Sequence, residues 1–147
     1  MFNNHDSILF KTLEKKRDLI YDNLEKTGKP VFVILGNHDK IEWLTKKNIY
    51  NLHNEVTFFN GVKFIGYRYT LIKKNENEIE LDLKKLISQI EGKYVLVTHS
   101  PPYGILDKNK QGNNIGSKSL TSFVKRYKPI LHIFGHVHEN FGVYNNF

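Results

Sequence analysis

A chain of 147 residues, 39% hydrophobic and 25% charged, suffices for one globular domain around one core. The absence of cysteine excludes disulfide frameworks and thiolate metal sites, so a metal would have to be held by His, Asn, Asp or Glu. A net charge of +7, with an isoelectric point near 9.5, favours anionic partners such as phosphate esters or nucleic acid, although scattered lysines serve solubility equally well.

The N-terminal stretch MFNNHDSILFK lacks the basic-then-apolar order of a secretory leader. No apolar run approaches the roughly 18 residues that span a bilayer. A soluble, cytoplasmic chain without membrane contact is expected. The first segment, SILFKTLEKKRDLIYDNLEKTGKP, spaces Ile8, Leu9, Leu13, Ile20 and Leu24 as a helix does. Asp6 or Ser7 stands as its N-cap and Gly28 just past its end. VFVIL, from Val31 to Leu35, is short, apolar and β-branched, which predicts a strand covered on both faces of a parallel or mixed sheet. A brief helix is expected over Ile41 to Lys47.

VTFF and VKFIGY flank Asn60-Gly61, the dipeptide suited to a two-residue hairpin turn because both positions accept positive φ. IELDLKKLISQIEGK has helical periodicity and is expected to close at Gly92; YVLVT, from Tyr94 to Thr98, again reads as a buried strand. The stretch HSPPYGILDKNKQGNNIGS is a loop too long to be a mere connector. A helix capped at Ser117 and running to about Tyr127 then precedes a last strand, ILHIF, from Ile130 to Phe134. No repeat, low-complexity tract or linker interrupts the chain. The expectation is an α/β fold of mixed sheets flanked by helices, in a single domain over 1–147.

Three of these strands share one habit. VFVIL leads into Gly36-Asn37-His38-Asp39, YVLVT into His99-Ser100-Pro101-Pro102, and ILHIF into Gly135-His136-Val137-His138-Glu139. Ligands of open α/β sheets bind outside the carboxyl ends of the strands, so the clusters are expected to meet at one sheet edge. Alone, each has a plainer reading: Gly-Asn as a turn, Ser-Pro-Pro as a rigid exit, a strand-end histidine as a surface residue. Together they point to a metal site, because imidazole nitrogens and an amide oxygen suit Zn, Mn or Fe. His132, inside ILHIF, and His53, in the polar turn NLHNE, read as structural instead.

GNHD, THSPPYG and FGHVHE, in that order, resemble the calcineurin-like metallophosphoesterases, and the resemblance runs from Val31 to Glu139. It implies two β-sheets sandwiched by helices, two divalent metals (Mn, Fe, Zn, Ni or Co) in the crevice, and hydrolysis of phosphate mono- or diesters by metal-activated water. By match, it implies Asn37, His99 and His136 as ligands of one metal, His138 as a ligand of the other, and His38 as the catalytic contact to phosphate. Asp39 and Glu139 would orient imidazoles or sit as solvated loop carboxylates. The Asp-x-His and Gly-Asp with which the family pattern begins have no counterpart before GNHD, and His5-Asp6 reads as a helix start rather than substitute ligands. The resemblance therefore implies a shortened domain carrying about half of the ligand set, with two, one or no metals bound. Two readings stand open: a hydrolase completed by another segment, and a module of the same fold that binds a phosphorylated ligand or partner without turnover. Loss of central strands would also leave open sheet edges and favour self-association.

Overall fold

A computed structural model describes residues 4–37, 39, 47–68 and 74–145. The chain divides into two compact units, one formed by Met1–Val33 with Ile41–Tyr50, the other by Ile34–Lys40 with Asn51–Phe147.

The first unit holds helix α1 (Asn4–Lys26), strand β1 (Val31–Val33) and most of strand β2 (Ile49–Asn51), the two strands forming a two-stranded sheet. The helix starts at Asn4, so Asp6 and Ser7 lie within its first turn instead of capping it. It does stop where expected, with Gly28 in the left-handed region at φ 63°. Of the apolar residues with helical spacing, Leu13 and Ile20 are exposed, while Leu24 is half-buried. The side-chain amide of Asn48 ties the helix end to the strands by donating to the carbonyls of Leu24 and Lys29. The Phe32 and Tyr50 rings stack 5.2 Å apart across the sheet.

VFVIL thus departs from its expectation. Its extended part is three residues long, half-buried, and paired with β2 rather than with the other motif-bearing strands. Apolar composition marks a segment as extended but does not say which sheet will take it. The expected helix over Ile41 to Lys47 lies almost wholly outside the described residues.

The second unit is built on a four-stranded sheet of order β3-β4-β5-β6, from β3 (Val56–Phe59), β4 (Val62–Tyr67), β5 (Tyr94–Thr98) and β6 (Leu131–Phe134). Strands β3 and β4 form the expected hairpin, with Asn60 at φ 47° and Gly61 at φ 79° supplying the two left-handed positions of its turn. Strands β4, β5 and β6 are parallel, joined by crossovers through α2 (Glu76–Ile87) and α3 (Lys118–Tyr127). Helix α2 begins three residues before Ile79 because Asn75 and Glu78 form a reciprocal capping box, and it ends at Ile87, well before Gly92. Helix α3 has the expected cap, the Ser117 hydroxyl accepting from Leu120 N–H.

Both helices cover one face of the sheet. Ile79, Leu83 and Leu86 of α2 and Leu120, Phe123 and Val124 of α3 bury themselves against Ile65, Tyr67, Tyr94 and Leu96, alternate residues of β4 and β5. On the opposite face Gly66 allows an unusually close approach: a Cβ there would lie 1.6 Å from the Leu52 carbonyl oxygen. The result is a mixed fold of two sheets with flanking helices, and the neighbouring parallel strands β5 and β6 lead into His99 and His136 at the same edge of their sheet.

Candidate metal centre

The register of the parallel strands fixes His99. Thr98 stands beside Tyr67 of β4 and Phe134 of β6, and the next residue is held from both sides. His99 N–H donates to the Tyr67 carbonyl at 3.0 Å, and its own carbonyl accepts from Gly135 N–H at 3.2 Å. After Gly135 the backbone of His136 adopts φ 75°, a left-handed conformation that a histidine takes only at some cost. That turn directs the His136 ring back over β5, its Nδ1 3.1 Å from His99 Nε2, with the rings edge to face at 4.8 Å.

The third member comes from the turn after β1, within the same compact unit. Asn37 Oδ1 lies 3.0 Å and Asn37 N 3.4 Å from His99 Nε2. Glycine precedes it for a steric reason: a Cβ on Gly36 would press on His99 Cε1 at 3.1 Å and on Asp39 Oδ2 at 3.3 Å.

One ring nitrogen, carrying at most one proton, thus faces an amide oxygen, an amide N–H and a second ring nitrogen. Hydrogen bonding cannot satisfy all three at once. Donors bound about 2.1 Å from one ion at adjacent corners of an octahedron lie about 3 Å apart, which follows from the right-angle geometry. Asn37 Oδ1, His99 Nε2 and His136 Nδ1 have that spacing along both measured pairs. The donor set is chemically suited to a divalent transition metal.

The remaining expected residues fare differently. His138 is exposed in the turn after β6. His38 lies outside the described residues. The Asp39 carboxylate accepts from Gly36 N–H at 2.7 Å, across the turn that carries Asn37. Glu139 lies 3.8 Å from Lys110 Nζ in an exposed ion pair of little energetic weight. The short polar side chain of Asp39 finds the nearest backbone donor first, and Glu139 finds solvent and a lysine. Among the described residues, no group of three or more His, Cys, Asp or Glu side chains stands ready to hold a metal, since the third donor here is an asparagine.

His53 and His132 stand apart from this cluster. His53 Nε2 accepts from the Arg68 guanidinium, and burial followed by the Arg68 charge pushes its pKa down to about 4. His132 is hydrogen-bonded to Thr98 at 2.9 Å, and burial pushes its pKa down to about 3. The loop after His99 is held by a residue to which composition drew no attention. Asp107, 1% exposed, accepts from Gly104 N–H and Gly116 N–H at 3.0 Å each. Its place three residues after Gly104, at the end of YGILD, is the signal that was there to read. A groove of about 830 Å³ borders the centre, with His132, Gly135, His136 and His138 in its wall.

Comparison with known proteins identifies the family and the fold. The calcineurin-like phosphoesterase family model matches residues 4–140. The chain is 31% identical over 161 positions to UPF0046 protein K07C11.7 of Caenorhabditis elegans, covering 90% of this chain and 54% of that one. It is 33% identical over 118 positions to Metallophosphoesterase domain-containing protein 1 of Homo sapiens, covering 73% of this chain and 34% of the human protein. A crystal structure superposes with a TM-score of 0.68 at 20% identity, over 85% of this chain and 57% of that one, and so shares the fold. The chain spans about half of the worm protein and about a third of the human one. With the family match running through both compact units and ending just after the GHVHE turn, the chain belongs to the calcineurin-like phosphoesterase family.

Proposed function

We propose that this chain carries one half of a metal-dependent phosphoesterase centre. Asn37 Oδ1, His99 Nε2 and His136 Nδ1 hold one divalent cation, and His138 contributes to a second. Family membership supports the reaction class, and the approach of Asn37 Oδ1 and His136 Nδ1 to His99 Nε2, each at about 3 Å, carries the assignment of the first cation. When bound, a metal pair lowers the pKa of a water molecule and stabilises the charge that develops on the phosphoryl oxygens. The protein's own part is to hold neutral donors at fixed spacing, and to present His38 as a proton donor to the leaving oxygen of a phosphate mono- or diester. Manganese is the first metal to test, because the roughly 3 Å donor spacing suits an octahedral ion.

A second reading is favoured by the neutrality of the donor set. Without an anionic ligand a site holds divalent metal weakly, and such a chain would bind a phosphorylated ligand without turning it over. Hydrolysis of a chromogenic phosphodiester by the purified chain with Mn²⁺ separates the two, with His136→Ala as control. Turnover that disappears in the variant supports the enzyme; Mn²⁺ binding without turnover supports the binding module. His99→Ala and His136→Ala are each expected to weaken Mn²⁺ binding at least tenfold, the lower end for disturbed metal sites. His53→Ala is expected to leave it unchanged, and equal losses from all three would refute the shared centre.

A further inference from the structure

We infer that Thr98 and His132 form a buried clasp that sets the backbone around His99, and thereby positions its imidazole for the metal. The inference rests on the proposed centre and adds two residues to it, neither of which donates to the cation. Thr98, 1% exposed, has its Oγ1 2.6 Å from the Ser100 carbonyl oxygen and 2.9 Å from His132 Nε2. A carbonyl cannot donate, so at 2.6 Å the single hydroxyl proton of Thr98 must lie toward Ser100. The hydroxyl is thereby left only as an acceptor toward His132, and Nε2 of His132 carries the proton. The tautomer follows from the pair of distances: Nε2–H donates, and the buried Nδ1, which has no hydrogen-bond partner among the described residues, is the bare nitrogen.

The consequence is geometric. The bond from Thr98 Oγ1 to the Ser100 carbonyl spans the two peptide units that flank His99, closing a small ring around its φ and ψ. Pro101 restricts Ser100 to extended conformations from the other side. His132 sets the direction of the clasp, because its N–H occupies the hydroxyl lone pair and leaves the proton only one acceptor. Together with the bonds to Tyr67 and Gly135, the clasp leaves His99 little freedom to turn away from Asn37 and His136. His132 stands 34 positions from Thr98, and they meet because β5 and β6 are parallel neighbours, with Leu96 opposite His132.

The test is Mn²⁺ affinity, together with the nitrogen NMR signals of the histidine rings, in the purified chain and two variants. Thr98→Val keeps the shape and removes both hydroxyl bonds; Thr98→Ser restores them. Expected are an Nε2–H tautomer at His132, a loss of Mn²⁺ affinity of roughly tenfold to a hundredfold in Thr98→Val, and recovery in Thr98→Ser. A merely structural threonine would not give recovery of affinity that follows the hydroxyl while the melting temperatures of the two variants stay close. Wild-type binding that Thr98→Val leaves intact would overturn the clasp while the centre stood. If the wild type bound no Mn²⁺, the centre would fail; His99 ring signals displaced in the metal-free Thr98→Val variant and recovered in Thr98→Ser would then still support the clasp, and unmoved signals would overturn it too.

Discussion

Strands β5 and β6 lie side by side, run the same way and both lead into histidines, yet their ends are built differently. β5 is buried along nearly its whole length, between two bonded neighbours. β6 alternates exposed and half-buried residues, with Leu131 52% and Ile133 50% exposed. His99, at the end of the first, is tied at its N–H and its carbonyl. His136, after the second, depends on a left-handed backbone, and His138 beyond it is exposed. An interior strand cannot relax without orphaning buried polar groups, whereas an edge strand can trade a lost bond for water. The proposed centre therefore pairs one histidine held by the core with histidines that retain room to adjust.

The sharpest way to break this comparison is at the glycines. Gly66→Ala would drive a Cβ into the Leu52 carbonyl beside the β5 register, and is expected to destabilise by more than about 3 kcal/mol, the upper range for overpacking. Gly135→Ala, at the end of β6, has no atom nearer than 3.9 Å and is expected to stay within about 1 kcal/mol. Urea midpoints would rank them, and a costly Gly135→Ala would mean that the β6 end is as confined as the β5 end.

Side-chain truncation is the next largest effect. Leu96→Ala, at a position 0% exposed in the core, should lose about 2–5 kcal/mol. Ile133→Ala should lose under about 1 kcal/mol. Comparable losses in the same denaturation series would show that the outer side of β6 is covered in solution, as self-association would do.

A smaller effect is expected at Glu76, whose carboxylate caps the start of α3 by accepting from Ser117 Oγ, Lys118 N–H and Ser119 N–H. Burial pushes its pKa up, but these bonds outweigh burial and leave it below the ordinary value of 4.5. Its contribution is thus present above pH 4.5 and lost as the pH falls through the lowered value. Glu76→Ala should cost about 1–2 kcal/mol at neutral pH, as lost helix caps do, and the gap to wild type should close in acid.

The smallest effect near neutrality comes from His132. Folded, it holds a pKa of about 3 against 6.5 when exposed, so unfolding takes up a proton between those limits and stability declines as the pH falls below 6.5. The slope for this group cannot exceed about 1.4 kcal/mol per pH unit, which keeps the loss at pH 6 below about 1 kcal/mol. His132→Gln should flatten the pH dependence of the urea midpoint, leaving the part due to His53, whose window runs from 6.5 to about 4. An unchanged slope would place His132 in water.

What could be read locally came out as expected where one short stretch holds the whole cause. Asn60-Gly61 forms its turn because both residues tolerate positive φ, and Ser117 caps α3 because its hydroxyl needs to reach only three residues ahead. Asn75 and Glu78 carried an equally local signal, the capping box that starts α2, which the periodicity from Ile79 onward obscured. The candidate donors of the proposed centre could be listed from sequence as well, since glycine, asparagine and histidine at strand ends say which atoms are on offer. Their partners were not. Asp39 and Glu139 look alike in sequence as candidate orienters, and only the folded chain gives one to Gly36 and the other to Lys110. VFVIL and YVLVT have the same apolar habit, yet one became three residues of a two-stranded sheet and the other the interior of four. Sequence by itself determined the chemistry available at each strand end, because that depends on residue type alone. Tertiary structure decided that Asn37 and His136 each come within about 3 Å of His99, and that Thr98 meets His132, because strand register and sheet order are set by contacts among segments tens of residues apart.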